Sequence, residues 1–177
     1  MEIDDDTYSG RNLVKQDFHR SNRPSKCVTV CLGLLCVVLL AGNVGQVIFY
    51  MLCPNNWRKF ETSCYFVSTT EKNWAESRKA CIAVGADLVS IESRQEQVFV
   101  NGILNAGQQV WIGLTDSYTE GVWKWVDGTS VTTTYWQPGQ PNSYGGDQDC
   151  GEFVQKSSLG EWNDEGCSHD QAWICEK

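Results

Sequence analysis

Ten carboxylates lie between Asp116 and Asp170, and only Lys124 and Lys156 oppose them. At that density like charges repel one another unless solvent or a bound cation relieves them. Amide oxygens are interleaved with the acids. Asparagine and glutamine side chains in the same stretch add neutral acceptors to them. Carboxylate and amide oxygens offered from flexible segments are the chemistry of a hard divalent cation. A solvated acidic face is the bland account, and it suffices for Asp127 and Glu161, which belong to no motif. Hydrolytic chemistry fits poorly. Ser168, His169 and Asp170 adjoin in sequence, yet neighbours in sequence rarely form a relay. One histidine with no supporting motif assembles no activated nucleophile, base and oxyanion donor. The chain is read as a non-enzyme.

Elements must position these oxygens. Thr70 precedes a stretch from Glu71 to Ala83 in which Trp74, Arg78, Cys81 and Ile82 fall at helical spacing. A second helix opens at Ser93, with Glu96 in a capping-box arrangement. After Gly107 the pattern changes to short aromatic and β-branched runs over Val110–Leu114, Val122–Val126, Gly151–Val154 and Ala172–Cys175. Between them, Asp127 to Asp149 has little periodicity and holds Gly128, Pro138, Gly139, Pro141, Asn142, Gly145 and Gly146. A loop of that length inside a domain is usually functional. The reading is an α+β domain with strands, long loops and two early helices.

Of the 177 residues, the first 52 carry five acidic and five basic side chains, and the remainder carries seventeen and nine, so the net charge of −8 belongs to the second part. Such a surface repels nucleic acid. From Cys27 to Leu52 there is no charged residue, and at about 1.5 Å per residue the stretch exceeds a bilayer core of about 30 Å. Lys15, Arg20, Arg23 and Lys26 crowd its N-terminal side, with Arg58 and Lys59 beyond the other. The positive-inside rule then places residues 1–26 in the cytosol as a tail, residues 27–52 as a signal-anchor helix and residues 53–177 outside the cell, a type II plasma-membrane topology. The competing reading is a cleaved signal peptide ending near Ala41 and Gly42. Against it, the polar leader is long and the apolar run continues through Val47, Ile48 and Phe49. The tail's polar run from Asp4 to Ser9 could carry phosphorylation or a sorting signal, but Arg11 three residues after Tyr8 satisfies neither a tyrosine-plus-apolar endocytic motif nor an inhibitory tyrosine motif. No heptad neck precedes Cys53, and no unpaired cysteine is expected outside the membrane, so a homo-oligomer is expected to be non-covalent.

Nine cysteines divide into Cys27, Cys31 and Cys36, in or beside the apolar stretch, and Cys53, Cys64, Cys81, Cys150, Cys167 and Cys175 beyond it. An even set in an oxidising compartment implies disulfides, although six cysteines allow fifteen connectivities. Zinc is the rival, and it is disfavoured because the second part has no Cys-x-x-Cys pair and His169 as its one histidine.

Trp111-Ile112-Gly113-Leu114, Gln140-Pro141-Asn142, Trp162-Asn163-Asp164 and the six cysteines together resemble the C-type lectin family, long form, over essentially all of residues 53–177. The architecture resembles that of type II receptors such as the asialoglycoprotein receptors and dendritic-cell mannose-binding lectins. The resemblance implies two helices flanking two small antiparallel sheets. It pairs Cys53 with Cys64, Cys81 with Cys175 and Cys150 with Cys167. It makes Trp162 a packing residue while Asn163 and Asp164 face the ligand. It also implies calcium as cofactor and glycans on pathogens, cells or glycoproteins as partners, in a receptor of innate immunity.

By the same resemblance, a principal calcium and carbohydrate site maps to Gln140, Asn142, Gln148, Asn163 and Asp164, with Pro141 in cis. An auxiliary calcium site maps to Asp116, Glu120 and Asp149. Two positions depart from the family's mannose pattern, since Gln140 and Gln148 stand where acids are usual. That leaves Asp164 as the one carboxylate among the five principal residues, which lowers the calcium affinity expected. Asp147 offers a substitute acid, reachable by a loop shift at Gly145 and Gly146. Gln-Pro-Asn is a hybrid of the mannose-type Glu-Pro-Asn and the galactose-type Gln-Pro-Asp, and the retained Asn142 tilts the expectation to mannose. The alternative implied by the missing acids is a calcium-independent receptor for a protein ligand, of the natural-killer lectin-like type.

Overall fold

Asn73 starts the first helix because its side chain accepts from Glu76 N at 2.9 Å, which gives α1 the span Trp74–Ala83. The expected start at Glu71 is three residues early. Lys72 N and O are already bonded to Gln171 O and N, so the chain there belongs to a β-bridge. The second helix, α2 at Arg94–Ile103, begins where its capping residues require, with Ser93 Oγ accepting from Glu96 N at 3.1 Å. Glu96 reaches back one residue further than the usual box, to Glu92 N at 2.9 Å, and accepts from Tyr65 Oη at 2.7 Å.

The computed structural model describes residues 34–39, 53–156 and 158–177. Two compact units divide the chain, Met1–Gln46 and Val47–Lys177. In the first, residues 34–39 are helical, with Leu34, Leu35, Val37, Val38 and Leu39 exposed. Among the described residues no helix is long and apolar enough to cross a membrane. The tail over 1–26, the suggested cleavage site and nearly all of the anchor over 27–52 lie outside the described residues.

The second unit is built on eight strands: β1 Arg58–Phe60, β2 Ser63–Val67, β3 Asp87–Leu88, β4 Gln109–Thr115, β5 Lys124–Trp125, β6 Cys150–Val154, β7 Glu161–Glu165 and β8 Ala172–Glu176. They run β1-β2-β8-β4-β6-β7, with β3 on β8 and β5 on β4. The expected separate antiparallel sheets are therefore joined. β8 pairs antiparallel with β2 through Ile174 to Glu176, and parallel with β4 through Ala172 and Trp173. One strand thus serves both lobes. The expected strand over Val122–Val126 shrinks to Lys124–Trp125 because turns close on either side of it, Val122 N to Thr119 O and Gly128 N to Trp125 O.

The core sits on both faces of β4, six of whose residues, Val110 to Thr115, are buried. Trp111 donates to Lys72 O, Trp74 to Ile112 O, and buried Trp162 to Gln97 Oε1. Trp125, Tyr135 and Trp136 pack edge-on around Trp162 with ring centroids 5.3–5.8 Å away. Gly113 cannot carry a side chain, since a Cβ there would lie 2.7 Å from Leu88 O. Disulfides join Cys53 to Cys64, Cys81 to Cys175 and Cys150 to Cys167, the pairing that the resemblance implies. The third anchors the start of β6 to the segment after β7, the two strands nearest the candidate site.

Candidate functional site

The site is assembled by two sets of backbone bonds. At the end of β4, Asp116 N and Thr115 Oγ1 both donate to Asp149 O, at 3.2 and 2.6 Å, which draws the residue before Cys150 beside Asp116. The turn that follows, Thr119 N to Asp116 O, brings Glu120 back toward them. One carboxylate oxygen each from Asp116, Glu120 and Asp149 then lie within 4.8 Å of one another. Burial first, and then the charges of Glu120 and Asp149, push the Asp116 carboxyl above its ordinary pKa, although Gly121 N donates to its Oδ2 at 2.8 Å.

The second set pins the long loop to β7. Trp162 N donates to Tyr135 O and Gln137 N to Trp162 O, and Gln140 N then closes a turn on Gln137 O. The Gln140–Pro141 peptide that follows is cis. It delivers Asn142 N to Asp164 Oδ2 at 2.9 Å, and Ser143 N donates to the same oxygen. Asp164 is fully buried on the Trp162 face of β7. The two sets meet in a cavity of about 240 Å³ whose walls include Asp116, Glu120, Trp123, Asn142, Ser143 and Asp164. Residues assigned to two calcium sites thus share one space.

Three buried acceptors in this region are left without donors. Asp116 Oδ1, Asp164 Oδ1 and Gln140 Oε1 are buried and accept no hydrogen bond. A buried oxygen without a donor costs about 1–3 kcal/mol. Oxygens of this kind fit calcium, which takes about six to eight of them at once. Asp116, Glu120, Asp149, Asn142, Asp164 and Gln140 are the residues that would hold such an ion.

The other two expected ligands are differently engaged. Successive strand residues point to opposite faces, so Asn163 leaves β7 on the face opposite Asp164. There its Nδ2 donates to Glu152 Oε1 at 2.9 Å. Gln148 donates from Nε2 to Glu165 Oε1 at 3.1 Å and accepts from Tyr144 N at 2.7 Å. Asp147 is exposed beyond the turn at Tyr144–Gly146. His169 is exposed, with Nδ1 2.9 Å from Glu165 Oε1, a surface pair rather than a relay with Ser168 or Asp170.

Glu152 and Glu165 escape sequence reasoning because their role follows from strand register. Glu152 lies directly across from Asn163 in the β6–β7 pair. Burial pushes the Glu152 carboxyl above its usual range, against hydrogen bonds from Asn163, Gln171 and Gln109. Burial acts the same way on Glu165, but donation from Gly166 N and Gln148 and the nearby His169 outweigh it and hold its pKa down. Tyr144, also missed, is 81% exposed at the loop tip beside Ser143.

Two helices against a joined sheet, a long loop closed by a cis X-Pro peptide over a strand carrying Trp-Asn-Asp, and three disulfides define a C-type-lectin-like domain. The model of the family described as "Lectin C-type domain" matches residues 70–177. The chain belongs to the C-type lectin domain family. It is similar to "C-type lectin domain family 4 member M" of Nomascus concolor, 43% identical over 129 residues, covering 71% of this chain and 31% of that relative. It therefore spans about a third of that relative's length. Among solved structures it resembles the mouse scavenger receptor C-type lectin carbohydrate-recognition domain, with a TM-score of 0.68 and 35% identity over 71% of this chain and 98% of that one. It also resembles the C-type lectin domain of murine dendritic cell inhibitory receptor 2, solved in complex with N-glycan. There the TM-score is 0.66 and the identity 32%, over 71% of this chain and 98% of that one.

Proposed function

We propose that this chain is a cell-surface receptor that binds carbohydrate, of mannose or galactose type, through calcium, for recognition or uptake of glycan-bearing particles. The observation that carries the reading is the set of buried oxygens without donors at Asp116, Asp164 and Gln140, two of them from residues on the cavity wall. Calcium there would supply the positive charge these oxygens lack and an open coordination position for vicinal sugar hydroxyls. The chain's own part is to hold the loop. Asp164 Oδ2 fixes Asn142 and Ser143 through their amides, and Asp149 O fixes Asp116. Type II topology is proposed with it, on the charge-free run over 27–52 and the basic residues before it.

The test is binding of the full chain to a glycan array with and without a chelator. The reading expects mannose- or galactose-type binding that the chelator removes. No chelator-sensitive binding on any glycan would overturn it. A second reading, a calcium-independent receptor for a protein ligand, is favoured by Gln148, whose amide is spent on Glu165 and Tyr144 within the protein. Absence of calcium uptake at millimolar concentration would favour that reading.

A further inference from the structure

Resting on the type II reading above, we infer that the edge hairpin of β1 and β2 is a docking surface for phospholipid headgroups. Trp57 enters the interfacial layer, Arg58 and Lys59 meet headgroup phosphates, and the domain is thereby held in one orientation on its anchor.

The tether leaves the hairpin little choice of place. The charge-free run ends at Leu52, and Cys53, the next residue, is already bonded to Cys64 in β2. Trp57 N donates to Pro54 O at 3.1 Å and closes a turn. A turn of that kind keeps its end residues within about 7 Å, and the two residues from Leu52 to Pro54 span about 7 Å more, so Trp57 stands at most about 14 Å from the end of the run. Headgroups occupy about 5–7 Å on each side of a bilayer core. A domain of about 125 residues has a radius of gyration of about 14 Å. A tether no longer than the domain's own radius cannot carry the hairpin clear of the lipid.

The residue types of the hairpin suit that place. From Cys53 to Thr70 the charged residues are Arg58, Lys59 and Glu61, a net basic stretch in a part of the chain that holds seventeen acids and nine bases. Arg58 and Lys59 are exposed on β1, the edge strand of the sheet. With Trp57, Phe99, Gly102 and Ile103 they line a hollow of about 610 Å³ between β1 and α2. Cations rimming an apolar wall match a phosphate above the acyl boundary. Trp57 is half-buried, with its ring 5.5 Å from that of Phe66. Lys177 Nζ lies 4.7 Å from its centroid and donates to Val84 O at 3.2 Å. Exposed Ile82 and Val84 continue the apolar surface past that ammonium. A tryptophan with one packed face and one wet edge settles at membrane interfaces. Charges on an edge strand also discourage pairing with another strand, but that role requires neither Trp57 nor the hollow.

Tryptophan quenching from the headgroup layer tests this. The full chain is reconstituted in phosphatidylcholine vesicles, with and without a share of lipid that carries a nitroxide on its choline. Wild type is compared with Trp57→Phe and with the double variant Arg58→Glu, Lys59→Glu, and an alkaline carbonate wash reports whether each chain stays in the bilayer. No tryptophan precedes Trp57 in the chain, so headgroup quenching is expected in wild type and most of it should be lost in Trp57→Phe. The double variant, which alters two exposed side chains and keeps Trp57, should lose most of it too, as should wild type at high salt. Equal quenching in wild type and Trp57→Phe, with the chain retained, would overturn the inference and leave the anchor standing. Quenching indifferent to charge reversal would also overturn it, by showing contact imposed by the tether alone. Trp57 emission that escapes the nitroxide and shifts to the blue as chains per vesicle increase would give the face to a second copy, and overturn it. Release of the wild type by carbonate would overturn the type II reading and this inference together.

Discussion

In the core behind β4, three of the four buried or half-buried indole N–H groups of Trp74, Trp111, Trp162 and Trp173 end on partners from the chain itself, Trp173 Nε1 being the exception. Trp74, Trp111 and Trp162 place their indole N–H groups on acceptors at 2.8–2.9 Å. Around the cavity between Asp116 and Asp164 the balance runs the other way, with carboxylates crowding together and buried oxygens left without donors. The two regions share β7, where Trp162 serves the first and Asp164, two residues on and on the same face, serves the second. The cavity has acceptors in excess, which is why its stability is expected to depend on what it binds while that of the core does not.

The largest effect should come from Trp162→Ala, which empties the centre of the aromatic cluster and strands Gln97 Oε1. Unfolding by urea is expected to show a loss of about 3–5 kcal/mol, the same with calcium as with chelator. A cost that changes with calcium would dissolve the distinction between the regions.

Next is Asp164→Ala, which leaves Asn142 N and Ser143 N without their acceptor. In chelator it should cost about 1–3 kcal/mol, and in calcium more, because the calcium-dependent gain disappears as well. Melts with and without calcium measure both parts.

Asp116→Asn should act with opposite signs in the two conditions. The folded Asp116 pKa lies above its unfolded value because of burial, Glu120 and Asp149. Its contribution to the calcium-free fold is therefore fully present below the unfolded value of about 3.9 and is lost as pH rises through the folded one. In chelator at neutral pH the variant is expected to melt higher than wild type, with a flatter decline between mild acid and neutrality. In calcium it should lose the stabilisation that the wild type gains. A lowered melting temperature in chelator would show that Asp116 is an ordinary structural acid.

The smallest change is expected from His169→Ala. Its imidazole is exposed while Glu165 is half-buried, and ion pairs at the surface contribute about 0–1 kcal/mol. Calcium affinity and stability should stay near wild type, since Gly166 N and Gln148 still hold Glu165.

Much of this division was legible in the sequence. Ser93 and Glu96 marked a helix start correctly because capping is a local matter, and Val110 to Leu114 read as a strand from its aromatic and β-branched run. Asn73 was harder, since the residues before it look helical and only the distant Gln171 takes them into a bridge. The joining of the sheets through β8 was likewise invisible, because it needs Ala172 and Trp173 to sit beside Val110 and Trp111. At the site, residue types indicated oxygen chemistry, while the assignment of particular residues came from family resemblance. What neither supplied was direction. Asn163 and Asp164 are neighbours in sequence yet leave the strand on opposite faces, and Glu152, which accepts from Asn163, is found only through the register of β6 on β7.

The most direct test of the whole account is a calcium titration of the full chain, repeated in the presence of mannose and of galactose. Calcium is expected to bind with heat and to raise the melting temperature, and one of the two sugars to tighten the apparent calcium affinity, since ion and sugar would share a coordination shell. A flat titration at millimolar calcium, with a melting temperature indifferent to ion and sugar alike, would contradict it.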